Sequence, residues 1–114
     1  MRIGIHMATY SPSLPAVFGA LSDPTRLAVV ELLVKGPASV SDLSRPFAIS
    51  RPSFLKHLHV LEKVGMVTSV KAGRVRTVSL APDALGWIDK WVQAHRQHLE
   101  ARLDRLAGFL EEDQ

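Results

Sequence analysis

The 114-residue sequence contains no cysteine. That excludes a disulfide framework, a thiolate metal site and a thiol nucleophile. Aromatic residues make up only 6 % of the chain, with a single tyrosine. No apolar run reaches the roughly 18 residues of a membrane-spanning helix. The N-terminus does not have the build of a signal peptide, so a soluble cytoplasmic protein without membrane association is expected. There is no glycine-rich phosphate loop and no Ser/His/acid set whose spacing implies proximity, so neither an enzyme nor a cofactor-bearing protein is expected. A chain this short has a high surface-to-volume ratio, and a dimer is a sensible way to complete its core.

What is present is an uneven distribution of charge. The net charge is +3. From Ser39 to Leu80 there are seven Lys/Arg (Arg45, Arg51, Lys56, Lys63, Lys71, Arg74, Arg76) against two acids, a local net of +5. From Ala81 to Gln114 four Lys/Arg face seven acids, a local net of −3. Positive charge concentrated on one segment fits an electrostatic footprint for nucleic acid. The bland alternative is a solvated charged face.

That segment also carries the clearest structural pattern. Ser39-Val40-Ser41-Asp42 can cap and open a short helix, with Leu43 and Phe47 as its apolar face. The chain then turns through Ala48-Ile49. Ser50 is a good N-cap for a second, longer helix, and Pro52 sits in its first turn, where a missing N–H costs little. Phe54, Leu58 and Leu61 recur at i, i+4 and i+7, the spacing of a buried helical stripe. The exposed side then holds Arg51, Ser53, Lys56, His57 and His59. A bracing helix followed by a basic helix is the helix-turn-helix arrangement, which offers donors to a major groove wide enough for a helix.

Upstream, Met1 to His6 reads as an added leader with Met7 as the natural start, because His6-Met7 resembles what a cloning site leaves. Leu14 to Leu21 reads as a helix capped by Ser13, with Pro15 in its first turn and Leu14, Val17, Phe18 and Leu21 on its apolar face. Asp23 can cap the next helix, with Pro24 at its first position. That helix runs to about Lys35 and stops at Gly36-Pro37. Leu27, Val30, Leu33 and Val34 are its expected buried stripe.

Three groups of residues resemble the ArsR-type (ArsR/SmtB) winged helix-turn-helix regulators, in a Cys-free form. They are Ala20-Leu21-Ser22-Asp23-Pro24-Thr25-Arg26-Leu27, then Ser50-Arg51-Pro52-Ser53 with Lys56-His57-Leu58-x-Val60-Leu61-x-x-x-Gly65-Met66-Val67, then Gly73-Arg74-Val75-Arg76. The resemblance spans about Phe18 to Leu80 in the family's order and spacing. It implies a mainly α fold with a small β-hairpin (α+β), about five helices plus a two-stranded wing. It also implies a dimeric DNA-binding transcriptional repressor or autorepressor. Arg26 resembles the family's arginine after Asp-Pro-Thr, and a role in fixing the helical core is preferred over a phosphate contact. His57 is expected to pack or to meet a phosphate. Leu55 departs from the family's small polar residue. Either it meets a thymine methyl, or the helix is rotated and Leu55 joins the core.

Gly65 can end the reading helix. Met66–Val70 and Val75–Leu80 read as strands around a tight Lys71-Ala72-Gly73-Arg74 hairpin, the wing. Lys71, Arg74 and Arg76 sit at its tip, suited to phosphate or minor-groove contact. Met66, Val78 and Leu80 should pack inward.

From Leu85 the apolar positions Leu85, Ile88, Val92, Leu99, Leu103, Leu106 and Leu110 step by threes and fours, with His95 standing on the stripe between Val92 and Leu99. They mark one long helix of about 25 residues, nearly 40 Å at 1.5 Å per residue. Trp87, Trp91 and Phe109 add apolar surface. The chain is thus divided into a DNA-binding core at 14–80 (recognition helix about 50–64, wing about 66–80) and a dimerisation helix at 82–110. The expected interface comprises Leu14, Val17, Phe18, Leu85, Ile88, Trp91, Val92, His95, Leu99, Leu103 and Leu106, consistent with the family's use of its first and last helices. Two-fold symmetry would set two reading helices about one DNA turn (34–36 Å) apart on a pseudo-palindrome in double-stranded DNA.

The DNA-binding set is Ser50, Arg51, Ser53, Lys56, His57, His59, Lys71, Arg74 and Arg76, with Arg51 assigned to a guanine. No metal is expected. His95 and His98 could meet one ion on the long helix, but Trp91 stands two residues after Asp89, where the family's site has a histidine. Control by a small molecule, by a partner protein or by protein concentration stays open. A winged helix used only for protein contact is the alternative function.

Overall fold

Local capping chemistry sets where the first four described helices begin. Ser13, Asp23, Ser39 and Ser50 each lie in extended backbone. Each accepts from the N–H three residues on: Ala16 at 3.1 Å, Arg26 at 3.0 Å, Asp42 at 3.1 Å and Ser53 at 3.3 Å. These bonds satisfy donors that a helix cannot satisfy itself. The computed structural model describes residues 13–112; the leader inferred at Met1 to His6 lies outside them.

The elements are α1 (Leu14–Leu21), α2 (Pro24–Val34), β1 (Ala38–Ser39), α3 (Val40–Ser44), α4 (Arg51–Lys63), β2 (Val67–Ala72), β3 (Val75–Leu80) and α5 (Gly86–Glu112). The described chain divides into two compact units at Ala84/Leu85.

In the first unit, Val17, Val29, Phe54, Leu61, Met66 and Val78 are fully buried and form the centre of the core. Phe47 lies beyond the end of α3, and its ring packs on that of Phe54 with centroids 5.6 Å apart. The end of α4 is a Schellman closure: Met66 N–H donates to Leu61 O and Gly65 N–H to Glu62 O. Gly65 has φ +81°, a conformation that costs a side-chain-bearing residue. The same turn delivers Met66 into the core and starts β2.

The α2 stripe differs from expectation. Val29, Val30 and Leu33 are buried, while Leu27 and Val34 are exposed. Residues 27–34 are apolar on nearly every side, so their pattern has no clear phase. Packing against neighbouring elements decides which arc turns inward.

The sheet has three strands, in the order β1-β3-β2, and not the two expected of the wing alone. Ala38 and Ser39 pair antiparallel with Val78 and Thr77. A two-residue strand is too short for alternation to mark it in sequence. β2 and β3 pair from Val67↔Leu80 to Ala72↔Val75. The hairpin turn is therefore only Gly73-Arg74, with Gly73 at φ +62°, as a two-residue turn matched to strand twist requires. Val67 is buried beside Met66 and Val78.

The second unit is essentially α5. Its 27 residues would extend about 40 Å. No helix among the described residues is long and apolar enough to cross a membrane.

Candidate nucleic-acid interface

The interface is built on α4. Phe54, Leu58 and Leu61 anchor it in the core. Its opposite side and flanks expose Arg51, Ser53, Leu55, Lys56 and His59. Ser50 and Ser53 are joined, with the Ser50 hydroxyl donating to Ser53 Oγ at 3.0 Å. This pair holds the first turn, where Arg51 emerges.

The fold brings the wing to that same end of α4. A notch of about 240 Å³ is lined by Ser39, Ser41, Arg51, Arg74 and Arg76, among others. Three guanidinium-bearing residues and two hydroxyls surround it, and no acid lines it. Such a set favours a phosphate, which arginine can hold through paired N–H donors. Arg76 Nη1 donates to Ser69 Oγ on the neighbouring strand at 3.0 Å, which restrains its guanidinium. Lys71 is exposed on β2 and Arg74 occupies the turn. Arg45, by contrast, pairs with Asp42 at 3.0 Å across an exposed helix end. Its charge is locally offset.

His57 does not belong to the exposed face. It is half-buried, and its Nδ1 lies 3.2 Å from Arg26 Nη1. An arginine can only donate, so Nδ1 accepts in this arrangement. Arg26 also donates from Nε to Ala20 O at 2.7 Å, and Nη2 lies 3.5 Å from Gly19 O. One guanidinium thus ties the end of α1 to the middle of α4. This is the structural role preferred for Arg26 on sequence grounds.

Asp23 stands beside this link, its Oδ2 3.7 Å from His57 Nδ1. The Arg26 N–H that it caps lowers the Asp23 carboxyl below the ordinary carboxylate range. Partial burial opposes the shift, and the Arg26 charge adds to it. A depressed folded-state pKa stabilises the fold at pH values above the unfolded pKa, and that contribution is lost as pH falls through the folded value. We therefore expect Asp23→Asn to be less stable than wild type at neutral pH, with the gap closing below about pH 4. Urea melts of both proteins across that range check this. A gap that persists unchanged in acid would remove the charge from the account.

On α5, Leu99, Leu103, Leu106, Phe109 and Leu110 are exposed along one stripe. His95 Nδ1–H donates to Trp91 O at 2.8 Å, and the two rings lie 4.3 Å apart. Leu85, Trp91 and His95 are exposed, while Ile88 and Val92 are half-buried. Of the α1 residues expected to face a partner, Leu14 and Phe18 reach the surface. Val17 does not, because it is wholly buried within its own chain. No group of three or more His, Asp or Glu among the described residues could hold a metal ion.

A helix-turn-helix domain family matches residues 21–70. The chain is 40 % identical over 79 residues to the HTH-type transcriptional regulator Rv2034 of Mycobacterium tuberculosis, covering 69 % of this chain and 73 % of that protein. It is 33 % identical over 76 residues to the transcriptional repressor SdpR of Bacillus subtilis, covering 63 % and 84 %. The crystal structure of the ArsR family transcriptional regulator RHA00566 matches with TM-score 0.72 and 41 % identity, over 76 % of this chain and 96 % of that one. The chain belongs to the ArsR family of winged helix-turn-helix transcriptional regulators. It is a DNA-binding regulator and not an enzyme.

Two features of this ArsR-family regulator escaped the sequence. Ser39 and Ser41 reach the arginine notch where β1 pairs with β3, whereas in the sequence they mark only the start of a helix. The Arg26–His57 link spans 31 positions. Its one advance signal was the arginine placed just after the Asp-Pro cap.

Proposed function

We propose that the protein is a homodimeric repressor or autorepressor that binds an inverted-repeat operator. Residues 14–80 would serve as the DNA-binding core and residues 82–110 as the dimerisation helix. The observation that carries this reading is the meeting of Arg51, Arg74 and Arg76 at one acid-free notch beside the exposed polar side of α4. It is supported by relatives named as repressors, SdpR and the arsenical resistance operon repressor of Staphylococcus xylosus. Arg51, Ser53, Lys56 and His59 face the major groove, with Ser50 fixing the first turn and His57 acting through Arg26. Lys71, Arg74 and Arg76 hold backbone or the adjacent minor groove. Leu14 and Phe18, with Leu85, Ile88, Trp91, Val92, His95, Leu99, Leu103 and Leu106, form the dimer contact. The protein works in the cytoplasm and, lacking cysteine, does not sense metal through thiolates.

Fluorescence anisotropy on DNA upstream of its own gene, against random DNA at two salt concentrations, tests the reading. Specific binding that survives added Zn²⁺ is expected. Release by Zn²⁺ would point instead to His95 and His98. His95 already spends Nδ1 on Trp91 O, leaving Nε2 as its acceptor. Equal, salt-sensitive binding to both DNAs would place the operator elsewhere, and no binding would favour a protein-contact module.

Single substitutions separate the roles of the arginines. Arg51→Ala should lose roughly 1–3 kcal/mol on the operator and relax specificity at one base. Arg74→Ala should weaken all sequences alike and flatten the salt slope by about one. Equal losses for Arg51→Ala on operator and random DNA would reassign Arg51 to phosphate.

A further inference from the structure

We propose that Leu55 is a specificity-determining residue that reads the 5-methyl group of a thymine in the operator half-site. The inference rests on α4 being the DNA-reading helix. Sequence periodicity left two places for Leu55, in the core or on the surface. Its neighbours Phe54 and Leu58 are buried at 0 % and 3 % exposure, while Leu55 is 42 % exposed. The helix is therefore not rotated to take it in. A single exposed leucine is ordinary on a protein surface; the position of this one sets it apart. Arg51 lies one turn before it and His59 one turn after, on the same flank of α4. Arg51 in turn lines the notch shared with the wing. Of the other exposed side chains in the first two turns, Arg51, Ser53 and Lys56 are hydrogen-bonding or charged, and Pro52 is fixed in the first turn by its ring. A branched apolar group in the middle of such a surface makes no hydrogen bond to a base edge. The unmodified major groove presents one apolar group, the thymine methyl, and aliphatic side chains recognise it by contact.

The test uses the full chain and duplexes enriched by it from a random pool. Each thymine of the enriched half-site is replaced in turn by deoxyuridine, which removes the methyl and leaves every hydrogen-bonding group in place. For wild type, one replacement per half-site should weaken binding about four-fold, the value of one buried methyl-sized group. Leu55→Ala, which changes both protomers of the proposed dimer, should lose that factor once per half-site, about sixteen-fold in all, on the thymine duplex, and no longer distinguish thymine from deoxyuridine at that position. Because Leu55 is exposed, the variant should keep the thermal midpoint of wild type. Wild-type binding that is indifferent to every deoxyuridine would overturn the proposal. So would a Leu55→Ala protein that still discriminates as wild type does. Failure to enrich any sequence would instead strike the DNA-reading assignment of α4, and this proposal with it.

Discussion

Placing glutamate at both Leu99 and Leu103 is expected to yield a folded monomer that has lost specific DNA binding. Both leucines are exposed on α5, on a stripe that continues through Leu106 and Leu110. Each would be buried in the proposed dimer. A symmetric interface repeats every change, so the double variant sets four carboxylates along one seam. Desolvating unpaired charges costs far more than burying a leucine provides. The first unit has its own buried centre in Val17, Val29, Phe54, Leu61, Met66 and Val78, so it should survive. Sedimentation should show the mass of one chain in place of two. Operator affinity should fall on the order of 10²–10⁴-fold, because two half-sites no longer bind as one ligand. A variant that stays dimeric would assign the contact to another surface.

The second large effect concerns Phe54. It is fully buried, and its ring rests on Phe47. Phe54→Ala should cost about 3–5 kcal/mol, the lost transfer energy plus the cavity left behind. A domain holds only about 5–15 kcal/mol in total. The thermal midpoint should fall by roughly 12 °C or more, measured at fixed protein concentration because the proposed dimer would add its own stabilisation. The contrast with Leu55→Ala is informative. Neighbouring substitutions on one helix should give opposite results, one affecting stability and the other affecting only DNA. A Phe54→Ala protein with the midpoint of wild type would mean that the core can close over the gap.

Much of this arrangement was legible in the residues. The four caps, the Gly65 closure, the Phe54-Leu58-Leu61 stripe and the long apolar repeat of α5 all depend on contacts within one or two helical turns. A local pattern is enough to encode them. The same holds for the cations of the wing, which the alternation and turn residues of the hairpin place together. Leu55 shows where such reading stops, since a leucine on the flank of a stripe is compatible with either side of the helix boundary.

By itself the sequence determined where the first four described helices begin, how α4 ends and which segment is basic, while the end of α3 before Phe47 was not marked in it. Capping bonds, backbone preferences and helical periodicity act over three to seven positions, within reach of a linear reading. Tertiary structure alone decided which arc of α2 is buried and whether Ala38-Ser39 is a strand. It also turned His57 toward Arg26 and brought Arg51 beside Arg74 and Arg76. Each of these outcomes joins groups far apart in the chain, and packing chooses among partners that local chemistry leaves equivalent.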